Sequence, residues 1–246
     1  MNTPGQTDSL NGEHTVEGIL RHIEAKSRED DYLFRGEPAH YQELPYRGKV
    51  SSNLYRVFLE REGFDVVQEQ FDIAEVQTEM LDTVKEFSRK PVEELERLSE
   101  IQHYGGKTNL IDFTEDYLIA LFFACDGSPR ENGRLILQEK ALLKAYIAEP
   151  YEPINRVIAQ KSVFIEHPDG FIEPNGNDVI NIPAFLKKPL REHLDRYHGI
   201  TPATIYNDIH GFIGHQRRNL ELYTEIYLGL AHKRKGDSEH GNPNAT

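Results

Sequence analysis

Seven polar side chains stand in apolar or turn surroundings along this chain: Arg35, Arg56, His103, Tyr104, Thr108, Asp112 and Gln160. Four of them fall within the single run 102–114, Gln-His-Tyr-Gly-Gly-Lys-Thr-Asn-Leu-Ile-Asp-Phe-Thr. A helix end, a turn and a helix start there gather imidazole, phenol, hydroxyl and carboxylate. Imidazole in a last helical turn with an aspartate nearby suits general acid or base work, and the helix dipole favours its protonated form by typically ~0.3–1 kcal/mol. Upstream, Arg35, Arg47 and Arg56 are interleaved with Tyr41, Tyr46 and Tyr55 and with Ser51 and Ser52. Arginine forks match phosphate oxygens bidentately and phenol rings stack on bases, so this stretch suits an anionic, aromatic ligand. Gly36 beside Arg35 lets a ligand or a backbone come close. Plainer roles compete with each of these. An aspartate just before a helix most often caps it or pairs with an arginine, and a glutamine such as Gln160 most often bonds a bulged backbone.

Several chemistries are set aside by what is missing. The chain has no Gly-x-x-x-x-Gly-Lys phosphate loop, no Gly-x-Gly-x-x-Gly, no His-Glu-x-x-His and no Cys-x-x-Cys. His210 and His215 are five apart with glycines between them, so no metal is expected. Cys125 is the only cysteine and sits in an apolar run, which argues against thiol catalysis and an internal disulfide and for a reducing cytoplasm. The net charge is -13, from 28 basic and 41 acidic residues. Bulk attraction to nucleic acid or anionic membrane is therefore not expected, although a local basic site can still hold a nucleotide or nucleic-acid phosphate. An acidic surface suits a protein partner at least as well. The apolar run 117–125 is far shorter than the ~20 residues of a membrane span.

The elements that must position these residues follow from periodicity. Residues 1–12 are polar and expected to be flexible, 13–231 form one domain, and the charged tail 232–246 is expected to be disordered. Apolar spacing predicts helices over 15–26, 65–88, from Pro91 to Tyr104, over 115–125 with Thr114 or Asp112 as cap, from Pro189 to Tyr197, and over 216–231. Strands are expected at 30–36, as a short strand or turn over 108–113, and at 134–138 and 179–182. One or two more, about a bulge, are expected at 156–165, with 140–148 ambiguous and 41–56 short of periodic structure. Helices lead and short strands gather later. The fold class is α+β, helix-rich with a small, mostly antiparallel sheet in a single compact domain.

An ordered series of motifs resembles the FRG domain, a family named for its aromatic-Arg-Gly motif. Phe34-Arg35-Gly36 and Leu54-Tyr55-Arg56 are followed by Gln102-His103-Tyr104-Gly105, Thr108, Leu110 to Thr114 and Ala120 to Ala124. Arg156 to Phe164, and Gly199-Ile200-Thr201 through Gly211, are similar to later family features, so the likeness spans 30–215. Three positions depart from the pattern: Asn109 for a frequent arginine, Ser162 for a glycine, and Asn207-Asp208 for Pro-Asp. The resemblance implies a bacterial or phage-associated protein with a phage-defence or toxin role. ADP-ribosyltransferase toxins open their fold on a similar strand, whose arginine holds the phosphates of NAD, although their Ser-Thr-Ser and Glu-x-Glu strands have no clear counterpart here. By that analogy the chain is an ADP-ribosyltransferase-like, nucleotide-handling enzyme using NAD. His103, Asp112 and Gln160 are its candidate catalytic residues, and Arg35, Gly36, Arg56, Tyr104 and Thr108 its candidate ligand-binding residues, with Tyr104 stacked on nicotinamide or adenine. The alternatives are a metal-independent phosphodiesterase or RNase with His103 as acid or base, and a non-catalytic sensor of a nucleotide or protein. All share one spatial expectation: residues 102–114 form one wall of a pocket faced by His103 and Tyr104 and braced by Asp112, with Arg35 opposite.

Overall fold

The computed structural model describes residues 14–61, 71–87, 91–150, 155–209, 211, 213, 220, 224 and 227–229. Its first helix, α1 (Val16–Ser27), starts where predicted, with the Thr15 hydroxyl accepting from the Gly18 N–H. The central strand, β1 (Tyr32–Glu37), follows. Alternation along it decides what each face meets. Tyr32 and Phe34 bury into one hydrophobic cluster, and Leu33 into a second on the opposite face. Arg35 and Glu37 continue the side of Leu33, whereas Gly36 continues the side of Phe34.

Beyond β1 come β2 (Val50–Ser51), α2 (Asn53–Leu59), α3 (Ile73–Val84), α4 (Glu94–His103), β3 (Leu110–Thr114), α5 (Tyr117–Cys125) and β4 (Gly133–Glu139). The chain then forms α6 (Lys140–Leu143), β5 (Ile147–Ala148), α7 (Asn155–Ala159), β6 (Ser162–Glu166), β7 (Phe171–Ile172), β8 (Val179–Ile182), α8 (Ala184–His198) and α9 (Pro202–Ile205). Six strands form one sheet in the order β5-β6-β3-β1-β4-β8, and β2 pairs with β7. Neighbouring strands run antiparallel. The architecture is α+β.

Helix α5 is apolar nearly all round and packs under β1. A Cβ on Gly36 would stand 1.7 Å from the Ala120 carbonyl oxygen and 2.5 Å from the Ala124 nitrogen. The glycine of the aromatic-Arg-Gly motif therefore exists to let a helix backbone approach. Gly36→Ala is expected to cost about 1–3 kcal/mol or more by overpacking, read as a lower denaturant midpoint; an unchanged midpoint would contradict so close an approach.

The loop after α4 depends on two glycines. Gly105 has φ +89°, its N–H reaches Gln102 O, and the Gly106 N–H reaches Ile101 O at 2.8 Å. This bond pair closes the helix as a Schellman motif, which needs a left-handed residue.

Several expectations are corrected. Residues 156–165 are helix α7 and then strand β6, because the Asn155–Ala159 turn buries Val157 before the strand begins. The stretch 41–56 ends in a strand and a helix capped by the Ser52 hydroxyl. The cap of α5 is Asp116, which accepts from the Leu118 N–H; Asp112 lies inside β3, and the Thr114 hydroxyl accepts from the Asp116 N–H. Helix α8 starts at Ala184 and carries Pro189 in its interior, where burial of Leu186, Leu190 and Leu194 outweighs a proline penalty of ~3 kcal/mol. The described part of the 65–88 helix is α3. Residues 1–12, 65–70, the 232–246 tail and most of 216–231 lie outside the described residues. Among the described residues no helix is long and apolar enough to cross a membrane.

Candidate functional site

Strands β1 and β3 pair at one register position, Phe34 opposite Thr114. Where that ladder stops, a cavity of about 250 Å³ lies between them. Its lining includes Phe34, Arg35 and Gly36 from β1 and Asp112, Phe113 and Thr114 from β3. Gln102 and His103 line it from α4, Arg156 from α7, Phe123 from α5, and Asn53, Gln160, Ser162 and Tyr206 complete it. Four aromatic rings and a set of charged and amide groups thus share one small space.

On the β3 side, the Thr108 hydroxyl donates to Gln102 Oε1, and Gln102 Nε2 donates to Asp112 Oδ2 at 2.8 Å. The other carboxylate oxygen, Asp112 Oδ1, is buried with no hydrogen-bond partner. His103 is 8% exposed, its ring lies 5.8 Å from that of Phe164, and its Nε2 is likewise buried without a partner. Burial lowers its pKa; the positive charge of Arg156 acts the same way, against the opposing pull of Asp112 and Asp208. His103 is in the last turn of α4, as expected, but burial reverses the charge preference that the helix end suggested.

On the β1 side, Arg35 Nη1 donates to the Asp112 carbonyl at 2.7 Å, and its Nε donates to Glu37 Oε1 at 2.9 Å. Arg35 therefore flanks Asp112 rather than standing opposite it. Glu37 is 2% exposed and holds three guanidinium groups. Arg134 donates to Oε2 from Nε at 2.9 Å and from Nη2 at 2.6 Å, while Arg56 Nη2 lies 3.3 Å from Oε1. Burial alone would raise the Glu37 pKa, but Arg35, Arg134 and Arg56 outweigh it and hold the carboxyl below its ordinary value.

Four predicted site residues, Arg35, His103, Asp112 and Gln160, line this cavity with Gly36. Gln160 is partly committed: its Nε2 donates to the Ile205 carbonyl at 3.2 Å, fixing the wall. Three others do not line it. Tyr104 caps α4 and is 51% exposed. Thr108 is fully buried, and its hydroxyl braces Gln102. Arg56 sits behind Arg35, against Glu37 and beside the rings of Tyr41 and Tyr46. Of the three departures from the family pattern, Ser162 lines the cavity, whereas Asn109 is buried elsewhere, its N–H bonded to Gln77 Oε1.

Sequence reasoning missed Glu37, Gln102, Arg134, Arg156 and Tyr206. A signal existed for the first: Glu37 is two residues beyond Arg35 on a strand, hence on the same face, and its cross-strand partner is Arg134.

A second cavity, about 530 Å³, lies between α5 and α8. Its buried cation, Lys187, spends its three donors on the carbonyls of Pro38, Gly127 and Ser128. Burial pushes the adjoining Cys125 thiol up to about 12, which keeps it protonated and unreactive. The chemistry gathers at the smaller cavity.

A family model described as the FRG domain matches residues 30–133. No curated protein and no solved structure matches the chain. The matched span supplies Arg35, Gln102, His103 and Asp112, while Arg156, Gln160, Ser162 and Tyr206 complete the cavity from beyond it. Over residues 30–133, then, this chain is similar to the FRG domain.

Proposed function

We propose that the cavity takes the nicotinamide-ribose end of NAD as substrate and that the protein transfers ADP-ribose to an acceptor. The observation that carries this reading is the pair of buried atoms without partners, Asp112 Oδ1 and His103 Nε2, in one aromatic-lined cavity with Arg35. In such a reaction the bond between ribose C1′ and the nicotinamide nitrogen breaks, and its electron pair leaves with nicotinamide. Positive charge then grows on the ribose. The open oxygen of Asp112 stabilises it, as carboxylates do for oxocarbenium-like transition states. The acceptor's lone pair forms the new bond to C1′, and its proton passes to His103, which burial keeps neutral and so able to accept it. Arg35 Nη2, the guanidinium nitrogen not used by Glu37 or Asp112, is the donor for phosphate.

A volume of about 250 Å³ holds a ring and a ribose, so the adenylate end would extend through the mouth. The acidic net charge of -13 favours a protein acceptor over nucleic acid. The family resemblance suggests a bacterial cytoplasmic setting in phage defence or toxin action.

Calorimetry with NAD and chromatography for released nicotinamide test the reading, with protein and nucleic-acid acceptors each present and absent. No binding and no release under any of these conditions would sink it, and cleavage of labelled RNA by wild type but not by His103→Ala would support a phosphodiesterase instead. Arg35→Lys keeps a charge beside Glu37 but loses the fork, so KM for NAD is expected to rise about tenfold or more. An unchanged KM would remove Arg35 from the phosphate.

A further inference from the structure

Arg156 and Asp208 meet outside the span matched by the family model, yet both act on its histidine. Arg156 Nε and Nη2 each lie 2.7 Å from an oxygen of Asp208, a two-point contact between side chains only 13% and 15% exposed. The third nitrogen, Nη1, donates to the main-chain carbonyl of His103 at 2.9 Å. The guanidinium also lies 5.4 Å from the centre of the Tyr206 ring. Asp208 is anchored in turn, its Oδ1 accepting from the Gly211 N–H at 2.7 Å. Each of the three Arg156 nitrogens thus lies against Asp208 or His103, and through Nη1 it reaches the backbone of the residue whose Nε2 is unpartnered.

We infer that Arg156 and Asp208 are a positioning pair for His103, fixing the end of its helix at the cavity and setting the charge that its ring meets. The inference rests on the cavity being the working site, as proposed above. Three charged groups act on the His103 ring from the elements around it, Asp112 from β3, Arg156 from α7 and Asp208 after α9, and Arg35 from β1 lines the same cavity. Arg156 opposes protonation of the ring, and Asp208 and Asp112 favour it. The pair therefore exerts two opposed influences, which separate substitutions can expose. A merely structural tie would have no such signature.

The experiment is an NMR titration of the His103 imidazole in the full chain, its signal assigned by its loss in His103→Gln. Arg156→Gln removes the cation and is expected to move the midpoint up. Asp208→Asn leaves the cation uncompensated and is expected to move it down. The double variant is expected to return toward wild type. Arg156→Lys keeps the charge but not the Nη1 bond, so it should hold the midpoint while lowering kcat for nicotinamide release and leaving KM unchanged. Single variants that both shift the midpoint in one direction, or not at all, would overturn the inference. Should either single variant fail to fold, a double variant displaced from the wild-type midpoint, or an Arg156→Lys midpoint that moves, would do the same. The titration needs no NAD, so a failed NAD assay would sink the proposed reaction and leave this result standing.

Discussion

Asp112→Asn should lower nicotinamide release by about 10²–10³-fold with the fold intact. The asparagine has the same shape, and its oxygen can still accept the Gln102 amide that now reaches Asp112 Oδ2. Its NH2 group would then replace the open Oδ1, presenting a positive dipole where the proposed reaction develops positive charge. The structural loss is on the order of one hydrogen bond to a charged group, about 1–3 kcal/mol. Turnover at saturating NAD, compared with a melting curve on the same preparation, separates the two effects. Wild-type turnover in a folded Asp112→Asn variant would rule the carboxylate out of the reaction.

Glu37→Gln should be the most damaging change to stability, costing about 3–5 kcal/mol, because it strands Arg35, Arg56 and Arg134 around a neutral group. The cost is pH-dependent, with a definite sign. The three arginines hold the folded carboxyl below its ordinary value of 4.5, so the unfolded chain takes up the proton first as pH falls. The stabilisation is thus complete above about pH 4.5 and is lost as pH drops through the folded pKa. Denaturant curves for wild type and Glu37→Gln should lie furthest apart above that pH and converge below it. A constant gap down to strong acid would mean that the carboxylate is not what the arginines stabilise. Because Arg35 joins this cluster to the cavity wall, the variant should also bind NAD more weakly under conditions where it is folded.

The cavity has two sources. Arg35, Gln102, His103 and Asp112 come from residues 30–133, and Arg156, Gln160, Ser162 and Tyr206 from beyond that span. The first group holds the atoms proposed to meet the ribose and phosphate. The second completes the lining, and Arg156 from it restrains His103 through its backbone. Variation in the second group would alter ligand choice and histidine charge while leaving the motif residues unchanged.

Local chemistry was enough to place the first helix at its Thr15 cap, the end of α4 at the glycine pair, and α5 as the most apolar helix of the core, since each depends on neighbours within a turn or two. The motif order also sufficed to gather Arg35, His103, Asp112 and Gln160 as candidates. Other features depended on partners distant in the chain. The strand reading of 156–159 failed because a short apolar run does not reveal its period, and the packing of Val157 beside Leu98 and Phe164 decided for helix. Gly36 in sequence allows close approach of either a ligand or a backbone, and it is the backbone of α5 that lies against it. Asp112 read as a cap because cap and strand aspartates look alike in sequence; pairing with β6 put it in the sheet and Gln102 turned its carboxylate. The helix end suggested a protonated His103, but burial against Phe164 and the approach of Arg156, 53 residues away, reversed that. Sequence alone therefore determined which residue types are available and which short elements carry them. Only the tertiary structure decided which atoms are left without partners, because burial and long-range charge depend on chain segments that meet in space and not in order.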